Sequence, residues 1–138
     1  MVTPATVHTQ IASGTLDPLY LVLGDDEYEK AEMASEFEEV VDVDLRAFNV
    51  ERFHGGDVSL RVILDATRTL PMMVPRRLVV VLCAERLLEP KRESDSATRD
   101  ADALLTFIQQ PPSHATLVLV AGRLDERRRV TKRLLAKA

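Results

Sequence analysis

Three uninterrupted apolar runs, Leu19–Leu23 (LYLVL), Leu78–Cys83 (LVVVLC) and Thr116–Ala121 (TLVLVA), constrain the fold of this chain more than any other feature. Runs of this length, rich in Val and Leu, mark strands covered on both faces. A fourth candidate, Asn49–Phe53 (NVERF), alternates and reads as an edge strand. Helical patterns fill the intervals. Met33, Phe37, Val40 and Val41 share one helical face, as do Leu60, Ile63 and Leu64 before Pro71, and Ala101, Leu104, Leu105 and Ile108 before Pro111-Pro112. A last helix is expected to start at Asp125 as N-cap and to carry Val130, Leu134 and Leu135 inward. Strands alternating with helices at this spacing require right-handed crossovers, so the expected fold is α/β with three layers around a mainly parallel sheet. The segment Glu85–Thr98 reads as a charged surface loop, and the N-terminal dozen residues as a short helix.

The 138 residues suffice for a single domain spanning 1–138. A formal charge of -4 gives no overall field towards nucleic acid or anionic membrane, so any such contact must be local. A lone cysteine and three scattered histidines (His8, His54, His114) indicate neither a disulfide framework nor a metal site. There is no secretory pattern, and the longest apolar run, Leu78–Ala84, is far below the roughly 20 residues that span a bilayer. The expectation is a cytoplasmic protein without membrane contact.

The loop after the first strand, Gly24-Asp-Asp-Glu-Tyr-Glu-Lys-Ala31, invites comparison with a phosphate loop, G-x-x-x-x-G-K-[ST]. Gly24 and Lys30 fall in register. Glu29 stands where the second glycine should be, and Ala31 replaces the hydroxyl that would hold Mg²⁺. Asp25, Asp26, Glu27 and Glu29 surround the place with carboxylates, and like charges about 4 Å apart cost roughly 1 kcal/mol even in water. The third strand runs into Cys83, a poor ligand for a hard cation and more simply a small buried apolar residue. A Mg-nucleotide-binding ATPase is therefore the weaker reading, and no cofactor is expected. A phosphorelay receiver, suggested by the acidic pair Asp25-Asp26, lacks the phosphoacceptor Asp after the third strand, and Ala121-Gly-Arg123 supplies no lysine.

Several blocks in order resemble a known family. They are Leu19-Tyr-Leu-Val-Leu-Gly-Asp-Asp-Glu-Tyr28, Asn49-Val-Glu-Arg-Phe53, Ala66-Thr-Arg-Thr-Leu-Pro-Met-Met-Val-Pro-Arg-Arg-Leu-Val-Val-Val81, Ala84-Glu-Arg-Leu87, and Thr116–Ala121 with Leu124-Asp125. They look like the N-terminal domain of the bacterial DNA polymerase III delta subunit. The resemblance implies an AAA+-like domain without a functional phosphate loop, non-catalytic in itself, within the DNA polymerase III holoenzyme. It implies a clamp-loader subunit that binds and opens the ring-shaped beta sliding clamp during DNA replication, while the gamma/tau subunits handle ATP. It also implies a helical lid and a C-terminal collar that contacts gamma/tau and delta-prime. The abrupt end at Lys137-Ala138 fits an N-terminal piece of such a chain.

The resemblance places the grip on the clamp at two neighbouring large apolar residues at the end of the helix before strand three, which here are Met72 and Met73. The common family pattern favours Phe or Leu at these positions, a departure. Pro71 and Pro75 bracket the pair, so two polarisable side chains would stand on a stiff corner. Leu70 joins them or belongs to the core; Arg76 and Arg77 pair with acidic clamp residues or are a solvated strand entrance. A methionine pair at a helix end is otherwise ordinary core packing. The basic run Arg127-Arg-Arg129 with Lys132, Arg133 and Lys137 touches DNA phosphate only within an assembled loader, or is a solvated helix face. His54 beside Gly55-Gly56 indicates a turn, since no nucleophile is spaced to pair with it.

Overall fold

A computed structural model describes residues 4–89, 94–125 and 127–137. In chain order the elements are α1 (Pro4–Ser13), β1 (Leu19–Leu23), α2 (Glu27–Glu38), a 3-10 turn (Val43–Leu45), α3 (Arg46–Asn49), β2 (Val50–His54), α4 (Leu60–Arg68), β3 (Arg77–Leu82), α5 (Glu85–Leu88), α6 (Asp95–Gln109), β4 (Ala115–Ala121) and α7 (Arg129–Lys137). The four strands form one sheet in the order β1-β4-β3-β2, and every pairing is parallel. The expected α/β architecture is present.

The apolar runs divide their side chains between two faces with the strand period of two. Leu19, Leu21, Val79, Val81, Leu117 and Leu119 point to one face and pack with Leu60, Ile63 and Leu64 of α4, Leu104 and Ile108 of α6, and Leu134 of α7. Tyr20, Leu78, Val80, Val118 and Val120 point to the other, against Val7 of α1 and Ala34 and Phe37 of α2. Uninterrupted hydrophobicity is the result, because each face needs its own apolar set. Tyr20 keeps its hydroxyl satisfied by donating to Gln10 Oε1 and accepting from the Asp17 amide at 2.9 Å, which ties α1 to β1.

Three boundaries differ from the sequence expectation. Helix α4 ends at Arg68, three residues before Pro71, where its cap Thr69 already turns extended with ψ 132°. The stretch expected as a loop over 85–98 holds α5 and the first turn of α6, whose cap is Ser94 with its Oγ accepting from the Ala97 amide at 3.0 Å; residues 90–93 lie outside the described residues. The last helix begins at Arg129, and Asp125 instead caps a turn by accepting from the Arg127 amide at 3.0 Å. Leu134 is buried as expected, while the side chains of Arg129, Val130 and Lys137 lie outside the described part. No helix among the described residues is long and apolar enough to cross a membrane.

Candidate functional site

Two places in this fold carry chemistry worth weighing, one at each end of the sheet. The first is the loop from Gly24 into α2, at the carboxyl end of β1. A phosphate site there would need free amides at the helix start and a free lysine. Asp26, in extended conformation, turns its own carboxylate onto those amides, accepting from Tyr28 at 2.9 Å and Glu29 at 3.2 Å. Lys30 Nζ lies 2.8 Å from Glu27 Oε1. That hydrogen bond raises the Lys30 pKa above the ordinary lysine value, against the opposing effect of burial. A Cβ added at Gly122 would stand 3.9 Å from Glu85 Oε1 and 4.0 Å from Lys30 Nζ, so these two side chains occupy the same neighbourhood. Asp25 pairs with Arg123 at 3.4 Å. Glu29 and Ala31 are exposed, and Cys83, half-buried where a buried residue was expected, follows β3 in the left-handed region with φ 53°. Among the described residues no group of three or more His, Cys, Asp or Glu is placed to hold a metal.

The second place is the corner between α4 and β3, at the opposite, amino end of the strands. Helix α4 starts at its Ser59 cap and buries Leu60, Ile63, Leu64, Ala66 and Thr67 against the sheet. Its last turn closes with the Thr69 amide donating to the Ala66 carbonyl at 3.3 Å, and Thr69 then turns extended with ψ 132°. The apolar side chains beyond it face solvent: Leu70 is 73% exposed, Met72 57% and Met73 85%. Three of the eight large exposed hydrophobics among the described residues therefore fall within four consecutive positions, a concentration that a solvated loop does not require. Met73 adopts φ 64°, a left-handed conformation that L side chains other than Asn and Asp rarely take.

The two arginines after the corner have separate roles. Arg77, expected either to face a partner or to lie in a solvated strand entrance, does neither: it is only 4% exposed and points inward. Its Nε donates to the Ala66 carbonyl at 2.9 Å, its Nη1 to the Phe48 carbonyl at 3.0 Å, and its Nη2 pairs with Glu51 of β2. Burial lowers its pKa from the ordinary arginine value. Arg77 is thus a brace under the corner, because its guanidinium donors are turned to partners inside the molecule. Arg76 is half-buried, and its Nη1 donates to the Ala115 carbonyl at 2.6 Å.

One residue outside the Leu70–Met73 turn belongs to the corner. Asn49, expected as the first residue of a strand, instead closes α3 and is completely buried, with its amide against the main chain of Met72. Phe48 beside it is exposed. No local pattern signals the role of Asn49, since its partner lies 23 positions away in the sequence. Of the basic run, Arg127 pairs with Asp125 at 3.0 Å, and Lys132 and Arg133 are exposed. His54 Nδ1 accepts from the Gly56 amide at 3.1 Å, so the histidine shapes a turn.

The DNA polymerase III subunit delta of Bacillus subtilis is 30% identical over 131 residues, 93% of this chain and 38% of that protein. Among solved structures, the Bacillus subtilis DNA clamp loader delta protein superimposes with a TM-score of 0.82 at 29% identity, covering 97% of this chain and 40% of that one. A DNA polymerase III gamma subunit-related protein from Thermotoga maritima matches with a TM-score of 0.64 at 21% identity over 96% of this chain and 43% of that one, a likeness of fold alone. The chain therefore spans about two fifths of the length of these relatives. The family model described as DNA polymerase III, delta subunit matches residues 20–138, and the chain belongs to that family.

Proposed function

We propose that this chain grips the beta sliding clamp through the Leu70–Met73 corner and favours an opened form of the ring without catalysing a reaction. The observation that carries this reading is the exposure of Leu70, Met72 and Met73 together on a short turn in which Pro71 and Pro75 bracket the methionine pair. Burying a Met side chain contributes about 1.5–3 kcal/mol, so two such side chains in an apolar pocket supply several kcal/mol of docking energy. A ligand that prefers a distorted clamp interface shifts the ring towards that state by its differential affinity and needs no chemistry of its own. One relative of known structure is named a DNA clamp loader delta protein, which supports a clamp as the partner.

The loop after β1 takes no part in nucleotide handling on this reading. Asp26 already caps the amides that phosphate would need, and Glu27 already pairs with the lysine. On this reading contacts with gamma/tau and delta-prime are made outside the matched part, since the chain spans 38% of its Bacillus subtilis relative. DNA contact by exposed Lys132 and Arg133 belongs to the assembled loader, since the chain alone carries a net charge of -4.

Titration of this chain and of its Met72→Ala/Met73→Ala variant onto immobilised sliding clamp tests the proposal. Truncating both side chains should weaken binding about 100-fold or more. Equal affinity of the two proteins would remove the corner from the interface, and failure of both to bind would remove clamp gripping from this chain.

A further inference from the structure

We infer that Asn49 is the positioning residue of this docking corner, an inference that rests on the clamp-gripping reading. Its side-chain amide is fully buried, and both halves face main chain. Oδ1 accepts from the Met72 amide at 2.6 Å, and Nδ2 donates to the Met72 carbonyl at 2.8 Å and to the Leu45 carbonyl at 2.9 Å. The orientation of the amide is determined by these partners, because a flipped amide would set its NH₂ against the Met72 N–H and its oxygen against two carbonyls.

The corner has little else to hold it. Among the described residues no other hydrogen bond reaches the main chain between Leu70 and Pro75; the neighbouring ones are made by Thr69 to Ala66 and by Arg77 to His114. Met73, the next residue after the gripped one, keeps a left-handed φ of 64°, a conformation that persists only where the surroundings over-determine it. Asn49 supplies that determination at Met72. Beside it, Arg77 joins the Phe48 carbonyl, one residue before Asn49, to the Ala66 carbonyl at the end of α4, so the platform under the grip is itself braced. A corner ordered before contact loses less freedom on docking, and affinity gains accordingly.

A role confined to α3 is the competing account, because Asn49 also donates to Leu45. Amide hydrogen exchange and clamp binding together separate the two. In Asn49→Ala the Met72 amide should lose protection about tenfold or more relative to Val79 and Val118 in the sheet, the mark of local opening. Clamp affinity should fall about tenfold, and the same substitution should have no further effect in the Met72→Ala/Met73→Ala background, where the corner no longer docks. If Asn49→Ala fails to fold, Asn49→Asp keeps the volume but turns an oxygen on two carbonyls, and should weaken binding at least as much. Unchanged clamp affinity of a folded Asn49 variant, beside a weakened methionine variant, would overturn the positioning role and leave the docking reading intact. Lost affinity with Met72 protection retained would also overturn it. Wild-type binding by the methionine variant would overturn the docking reading and this inference together.

Discussion

Lys30 occupies the register of a phosphate-loop lysine, yet its ammonium is held by a carboxylate three residues before it. Because Glu27 raises the pKa of Lys30, the pair stabilises the fold fully below the ordinary lysine value of about 10.4 and loses that contribution as pH rises through the higher folded value. Side-chain NMR titration should find the Lys30 midpoint above that of an exposed lysine, and Glu27→Gln should bring it down; a midpoint indifferent to Glu27 would contradict the assignment. At this scale the sequence was uneven. Glu29 and Ala31 were visible as misfits because a phosphate loop prescribes residue types at fixed spacing. Arg76 and Arg77 look alike in the sequence, and only packing separates the half-buried one from the buried brace. Asn49 was invisible, since a contact made across 23 residues leaves no trace in local periodicity.

Among the elements, β1 and the interior strands were legible within a residue, because a strand covered on both faces must be apolar throughout. The helix ends were less so. Ser94 was available as a cap signal, but it sits in a charged stretch that reads as loop. Where β2 and β3 end, the backbones approach so closely that a Cβ at Gly55 would collide with the Cys83 carbonyl oxygen, while the Gly55 amide donates to Leu82 at 2.8 Å. Gly55→Ala should therefore destabilise the chain by roughly 1–3 kcal/mol, the usual cost of overpacking. Urea unfolding monitored by circular dichroism measures it, and an unchanged midpoint would mean that this pinch between strands relaxes freely.

Across the whole molecule, parallel strands give the sheet two chemically distinct ends. The first turn of α2, which bears Lys30, lies past the carboxyl end of β1, and the methionine corner lies before the amino end of β3, with strands about 20 Å long between them. Events at the two ends should be independent. Saturating Mg-ATP is accordingly expected to leave both the melting temperature and the affinity for clamp unchanged; a clear thermal stabilisation would show that the loop binds nucleotide after all. Which strands lie at the edges was only half legible. The alternation in β2 gave its position away, but β1 is also an edge and does not alternate, since covering both faces of a strand says nothing about its flank. The Asn49 contact is made to main chain, not to the methionine side chain. Selection can then exchange the side chain at position 72 for another apolar one without disturbing how the turn is held, so that, on the clamp-gripping proposal, the docking surface can follow a changing pocket while the scaffold stays fixed.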